Sequence, residues 1–333
     1  MVKRVTISDV AQHAGVSKST VSQYLNRRYD YMGKKTKEKI ERAIKELEYS
    51  PNMVARSLKQ KSSTTIGVIV ANILHVFSTQ VIRAIEDFCH DKGFHVIVCN
   101  ADDNPNKEKT YIDMLRAKQV DGIIAFPTGD NVDLYQDLLN EKYPIIFMDR
   151  VVEGIDVQTV LLDNYKAAAY AAEALKDYQL PAVVTPPLKK NVTPRMERLE
   201  GFKQEMKNNG RPLSDEYIVS GEMDELEEKL KYLFELPKAP DAIFAINDRV
   251  LHEILSFFKK HHIRIPNDVA LINVDDVSFA DFYQPALTTI SQPAFEMGKK
   301  AAEILFEYMK FPKANKSKEI HRFEPTINRR ESC

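Results

Sequence analysis

Apolar positions follow two regimes along this chain. From Thr6 to Leu47 they recur at helical spacing, whereas from residue 66 onward short, β-rich apolar runs alternate with helical stretches. In the first regime, Thr6-Ile7-Ser8-Asp9 has the form of a capping box, a hydroxyl followed three residues later by an acid, which predicts a helix start there. Val10, Ala11 and Ala14 supply small apolar contacts, and Gly15 permits a left-handed turn. Ser17 can cap a second helix running through residues 18–25. A third helix reads from Thr36, with Ile40, Ala43, Ile44 and Leu47 on one stripe and Lys37, Glu41, Lys45 and Glu48 outside. Two short helices about a glycine-bearing turn, braced by a third, predict a helix-turn-helix.

The second regime contains eight such runs, at 66–73, 95–100, 120–126, 143–149, 157–163, 181–184, 242–247 and 269–275. Strands alternating with helices predict doubly wound parallel sheets. Eight strands are too many for one small sheet, so two lobes are expected. Many runs end on a polar residue: Asn72, Asn100, Asp149, Asp163-Asn164, Asn247-Asp248 and Asp275-Asp276. Ligands of open α/β sheets bind beyond the carboxyl ends of the strands, and short acceptors there suit a polyhydroxylated ligand such as a sugar. The plain alternative is that these residues cap the helices that follow.

Charge separates the two regimes more sharply than the overall balance of 47 Lys/Arg against 48 Asp/Glu suggests. Residues 1–61 hold 14 Lys/Arg against 6 acids, an excess of eight positive charges, so the remainder carries minus nine. A basic head on an acidic body is the footprint of a module that meets a phosphate backbone.

Other functions find little support. Cys89, Cys99 and Cys333 form no CxxC pair, which argues against zinc or a disulfide framework and suggests two core thiols and one frayed terminus. No GxSxG, P-loop, GxGxxG or HExxH occurs, so catalysis, a metal and a cofactor are not expected. Met1-Val2-Lys3-Arg4 does not open an export signal and no apolar run is long enough to span a bilayer, which predicts a cytoplasmic protein without membrane partners.

In a helix-turn-helix the second helix enters the major groove with its N-terminal side chains against base edges, which nominates Lys18, Ser19 and Gln23 as readers. The stretch Val5-Thr-Ile-Ser-Asp-Val-Ala-Gln-His-Ala-Gly-Val-Ser-Lys-Ser-Thr-Val-Ser-Gln-Tyr-Leu-Asn26 resembles the opening of the lactose-repressor (LacI/GalR) family. Tyr49-Ser-Pro-Asn-Met-Val-Ala-Arg-Ser-Leu58 resembles that family's hinge segment. The resemblance implies double-stranded operator DNA as partner and a homodimer. It further implies a hinge that folds on the operator, with Leu58 of each subunit wedged into the minor groove, where it can unstack and kink a base step. The candidate DNA-contacting set is then Thr6, Ser17, Lys18, Ser19, Thr20, Ser22, Gln23, Asn26, Asn52, Ala55, Arg56 and Leu58. Two positions depart from the family: Gln23 stands where arginine is usual, and Gly33 where a serine cap is typical.

The resemblance continues through Asp121-Gly122, Asp163-Asn164, Arg198-Leu-Glu-Gly201-Phe202, Ile246-Asn247-Asp248, Val274-Asp275-Asp276 and Pro285-Ala-Leu-Thr-Thr-Ile290. It implies a periplasmic-binding-protein-like core with an effector cleft between lobes. The implied effector contacts are Phe77, Asp149, Arg198, Asn247, Asp275 and Gln292. The fold class expected is therefore α/β: a small all-α head at 1–50, a hinge and linker at 51–63, and a two-lobed core with doubly wound parallel sheets at 64–333. One lobe would take 64–163 and 292–324, the other 164–291 and 325–333. Asn273 replaces a usual glycine, which would suit a positive φ, and residues 179–188 lack the usual glycines. Arg150, Arg195 and Arg198 favour an acidic sugar, such as a hexuronate derivative, as effector. A purine or protein corepressor, or a sugar-binding protein without a regulatory role, are the alternatives.

Overall fold

The computed structural model describes residues 5–26, 28–30, 32–50, 62–311 and 319–333. The expected hinge, with Asn52, Ala55, Arg56 and Leu58, lies outside the described residues. The chain divides into two compact units, Met1–Ser63 and Thr64–Cys333.

The first unit is built from α1 (Ile7–Ala14), α2 (Lys18–Leu25) and α3 (Lys34–Glu46). Thr6 and Asp9 form the reciprocal capping box, and Gly15 ends α1 at φ 63°, a left-handed value that only glycine adopts without cost. Ser17 caps α2 by accepting from the Thr20 amide. The third helix begins two residues earlier than Thr36: Gly33 is extended at φ −65°, ψ 149° and serves as N-cap without a side-chain bond. Val10, Ala11, Ala14, Val21, Ile40 and Ala43 form the core of this unit, with Ile44 and Leu47 packed at its edge. His13 Nε2 and Glu46 Oε2 meet at 2.7 Å between α1 and α3.

The second unit holds two six-stranded sheets. Lobe 1 is ordered β11-β5-β4-β3-β1-β2, from β1 (Thr65–Val70), β2 (His95–Asn100), β3 (Gly122–Ala125), β4 (Ile145–Met148), β5 (Thr159–Leu162) and β11 (Ile320–Phe323). All its pairings are parallel. Lobe 2 is ordered β12-β10-β9-β8-β6-β7, from β6 (Pro181–Thr185), β7 (Ile218–Ser220), β8 (Ala242–Ala245), β9 (Ala270–Val274), β10 (Thr288–Ser291) and β12 (Thr326–Asn328). Only β12 runs antiparallel, against β10. The eight apolar runs of the sequence correspond to β1–β6, β8 and β9.

Between the strands lie α4 (Val76–Asp91), α5 (Pro105–Ala117), α6 (Val132–Asn140), α7 (Asn164–Ala174), α8 (Thr193–Asn208), α9 (Leu226–Phe234), α10 (Asp248–His261) and α11 (Ala294–Lys310). Every residue of the central strands β3, β4, β5 and β8 is buried, because both faces are covered. Gly298 lets α11 meet α4 closely, since a Cβ there would stand 2.7 Å from the Val81 carbonyl oxygen. In each sheet the chain order reverses around one strand, β1 in lobe 1 and β6 in lobe 2, which creates the crevice at the carboxyl ends where ligands of such folds bind.

Two expectations about local structure are corrected. Asn273 is extended within β9 and fully buried, and it donates to the carbonyls of Val274 (3.0 Å) and Asp275 (2.6 Å). The positive φ falls instead on Asp275, at 86°. The C-terminus is not frayed: Ser332 is buried, accepts from the Thr288 amide at 2.8 Å and donates to the Leu271 carbonyl at 2.5 Å, while Cys333 packs against the core.

Candidate functional site

The six side chains nominated for the effector converge on one cavity between the lobes of the second unit. It spans about 470 Å³, part of it open to solvent, and is lined by Phe77, Asp149, Arg198, Asn247, Asp275 and Gln292, joined by Ala71, His75, Ser78, Phe126, Arg150, Val192, Pro194 and Arg195. Phe77, on the first turn of α4, meets Phe126 edge to face at 6.2 Å and makes an apolar wall. The polar side comes from strand ends. Asp149 follows β4 at φ 68° and Asp275 follows β9 at φ 86°. Such values strain a residue other than glycine and concentrate at functional sites.

Arg198 crosses the floor of lobe 2, where its Nε donates to Asn164 Oδ1 and its Nη1 to the Ile246 carbonyl, both at 2.8 Å. Asn247 Oδ1 accepts from the amides of Arg249 and Val250 and so caps α10. The capping alternative thus applies in part to Asn247, whose amide nitrogen remains for the cavity. It absorbs Asp163, which accepts from the Lys166 amide, whereas Asp276 is held by Arg330 and Thr289. Gln292 donates to Asp275 Oδ1 at 2.6 Å, while its own Oε1 is buried without a partner. Burial, reinforced by nearby Asp248, pushes the Asp275 carboxyl above its ordinary range despite Arg198.

Side-chain bonds also join the two lobes across this cleft. His75 Nδ1 lies 2.5 Å from Asp248 Oδ1, and the Val76 amide donates to Asp248 Oδ2 at 2.8 Å. Arg195 of lobe 2 and Arg150 of lobe 1 both donate to Asp103, at 3.0 and 2.6 Å. Burial raises the Asp103 pKa, but the two arginines more than offset it, so the carboxyl titrates below its ordinary range. Burial likewise lowers the Arg195 pKa. These two arginines, which favoured an acidic ligand on the sequence, are thus already matched by a carboxylate. Neither His75 nor Asp103 was singled out beforehand. Both lie in loops after strands, where periodicity carries no signal.

In the first unit, Lys18, Ser19 and Gln23 are all exposed on α2, opposite buried Val21. Among the described residues the side chains of Lys18 and Gln23 make no hydrogen bond, which leaves their donors available. The Ser17 hydroxyl contacts those of Ser19 at 2.7 Å and Thr20 at 2.8 Å, Asn26 folds back onto the Ser22 carbonyl, and exposed Thr6 is tied to Asp9.

A family described as periplasmic binding proteins and sugar binding domain of LacI family matches residues 63–325, and bacterial regulatory proteins, lacI family, match residues 6–52. The chain belongs to the LacI family. It is 48% identical over 98% of both chains to the probable HTH-type transcriptional regulator EndR of Paenibacillus polymyxa. It is 34% identical to the HTH-type transcriptional regulator KdgR of Bacillus subtilis, over 90% of this chain and 89% of that one. A solved structure of the Lac repressor dimer bound to operator and the anti-inducer ONPF matches with TM-score 0.85 at 25% identity over 99% of both chains. The complex of the regulator CelR with cellobiose matches in fold, with TM-score 0.72 at 24% identity over 99% of this chain and all of that one. As a LacI-family member the protein is a helix-turn-helix DNA-binding transcriptional regulator with an effector-binding core. Among the described residues no helix is long and apolar enough to cross a membrane, and no His, Cys, Asp and Glu side chains cluster as metal ligands.

Proposed function

We propose that this regulator is a homodimeric repressor in the cytoplasm whose operator affinity is set by a sugar or sugar acid held in the interlobe cavity. Phe77, Asp149, Arg198, Asn247, Asp275 and Gln292 are its effector contacts. The observation that carries this reading is their convergence, from six separate segments of two lobes, on one cavity. Short polar groups facing an aromatic wall match a pyranose, with hydroxyls at the edge and an apolar face. Lys18, Ser19 and Gln23 are the base readers, with Thr6, Ser17, Thr20, Ser22 and Asn26 beside them for phosphate and neighbouring contacts, and the hinge candidates complete the set. The homodimer has support in exposed apolar side chains, among them Val98 on edge strand β2, Phe282 at 85% exposure and Phe295.

A thermal-shift screen of sugars and sugar acids on the full-length protein tests the cavity. A ligand specific to the folded state raises Tm by mass action, and Arg198→Ala should remove that shift. On the DNA side, Gln23→Ala should change which bases are preferred at one operator position, measured by binding to a randomised operator library. A loss that is equal for all sequences would show that α2 is not the reading helix.

A further inference from the structure

We propose that the two lobes are latched to each other by their own side chains, so that the closed cleft is the resting arrangement of the core, and that Gly129 is the residue that lets the latch seat. Among the described residues the latch has three points, one from each of three successive strand-end loops of lobe 1. After β1, His75 Nδ1 and the Val76 amide meet the two carboxylate oxygens of Asp248, at the start of α10. After β2, Asp103 accepts from Arg195, on the first turn of α8. After β3, Asp130 Oδ1 accepts from Asn191 Nδ2 at 2.7 Å, just before α8. Each of these bonds joins protein groups directly, so none requires a ligand between the lobes.

At the third point the backbones themselves come close. Gly129 has φ 90°, and a Cβ there would stand 2.5 Å from the Asn191 Cβ and 3.2 Å from the Asn191 carbonyl oxygen. No side chain fits between the loops at this approach. Nor can residue 129 retreat, because buried Glu108 grips the loop on both sides of it, through the Thr128 amide and hydroxyl and the Asn131 amide group. The lobe 1 loops are also tied to one another. Arg150, after β4, donates to Asp103 at 2.6 Å and to the Pro127 carbonyl at 3.4 Å, and Asn100 Oδ1, at the end of β2, accepts from the Ile73 amide at 3.1 Å. With that bracing, a larger residue at 129 parts the lobes rather than bending its own loop, and the other two points open with it. A ligand that touches both lobes meets walls already at bonding distance and is spared drawing them together; this consequence, unlike the latch itself, rests on reading the cavity as the effector site.

The Val76 amide is a reporter of the latch, because it opens a helix and so has no acceptor within its own turn, while the oxygen it meets belongs to lobe 2. It also lies in a different loop from residue 129, so a purely local disturbance there does not reach it. Its hydrogen exchange is measured on the full-length protein with no ligand added, from overlapping peptides, with the β1 amides of residues 66–70 as the control for folding. Gly129→Ala should speed exchange at Val76 at least roughly tenfold and leave β1 as slow as in wild type. Asn191→Gly, added to Gly129→Ala, removes the Cβ that clashes and should restore most of the protection. Arg195→Ala breaks the second point independently and should also speed exchange at Val76. An unprotected Val76 amide in wild type, or equal protection in wild type and in folded Gly129→Ala and Arg195→Ala, overturns the latch. Faster exchange in Gly129→Ala with no recovery on Asn191→Gly would place the effect in the strained backbone at 129 and overturn the role given to Gly129.

Discussion

Glu108 shows how much a single side chain carries outside the cleft. It is fully buried on α5, and its two carboxylate oxygens accept from the Thr128 amide (2.9 Å), the Thr128 hydroxyl (2.6 Å), the Asn131 amide group (2.6 Å) and the Tyr135 hydroxyl (2.6 Å). The loop after β3 is thereby fastened to α5 and α6. Burial, with Glu108 alongside, pushes the Tyr135 hydroxyl well above its ordinary range, so it stays a donor. Glu108→Ala would leave three buried donors unmet, those of Thr128 and Tyr135, and should destabilise the second unit by roughly 3–5 kcal/mol, read as a lower urea midpoint. No change in midpoint would mean that water replaces the carboxylate. Nothing in the sequence marked Glu108, because a glutamate in Pro-Asn-Lys-Glu-Lys reads as a solvated helix face; only the fold turns it inward. Asp149 and Asp275 were legible because they end apolar runs, and Arg198 because it sits in a family motif.

At the scale of elements, the strands found from the sequence are those with both faces buried, whose apolar runs are continuous. Those missed have physical reasons. β7 is three residues at a sheet edge, β11 alternates exposed and half-buried positions, and β12 is short and polar. β10 buries Thr288 and Thr289, whose hydroxyls serve Arg330 and Asp276, so its core positions look polar. The side-chain bonds between loops of opposite lobes were invisible for the same reason: they join residues 92 and 173 positions apart. They also make a prediction about acid. Burial raises the Asp248 pKa, but the bond and charge of His75 outweigh it, so Asp248, like Asp103, titrates below the ordinary 3.8. A depressed carboxylate contributes stability that is present above its unfolded pKa of about 3.9 and lost as pH falls through the still lower folded value. Asp275, raised, works in the opposite direction. The urea midpoint of an Asp103→Asn, Asp248→Asn double variant should therefore lie below wild type from pH 7 down to about pH 4, and the gap should close below that. A gap that persists unchanged at pH 3 would show that the carboxylates do not hold the lobes through charge.

For the molecule as a whole, the DNA-reading candidates belong to one compact unit and the effector candidates to the other, so the two candidate sets share no side chain. Any influence of one on the other is a coupling free energy. By linkage it is reciprocal: an effector that weakens operator binding is itself bound less tightly by the operator complex. A typical coupling of roughly 1–3 kcal/mol changes operator affinity about 5–150-fold. Arg198 is the place to cut this link, because it touches the cavity from within lobe 2, yet it also fastens Asn164 to the Ile246 carbonyl. Arg198→Ala removes both hydrogen bonds of a charged donor, worth roughly 1.5–3 kcal/mol each, so its folding must be verified by urea denaturation beside Arg198→Lys, which keeps the charge but not the fork. Operator affinity without effector, measured by fluorescence anisotropy, should stay within about twofold of wild type for either folded variant, since one 1.4 kcal/mol step would already be tenfold. The effector found by the thermal-shift screen should then change that affinity strongly in wild type, little in Arg198→Lys and not at all in Arg198→Ala. A full response of Arg198→Ala at the same effector concentration would remove Arg198 from the effector contacts and leave its role as a brace inside lobe 2.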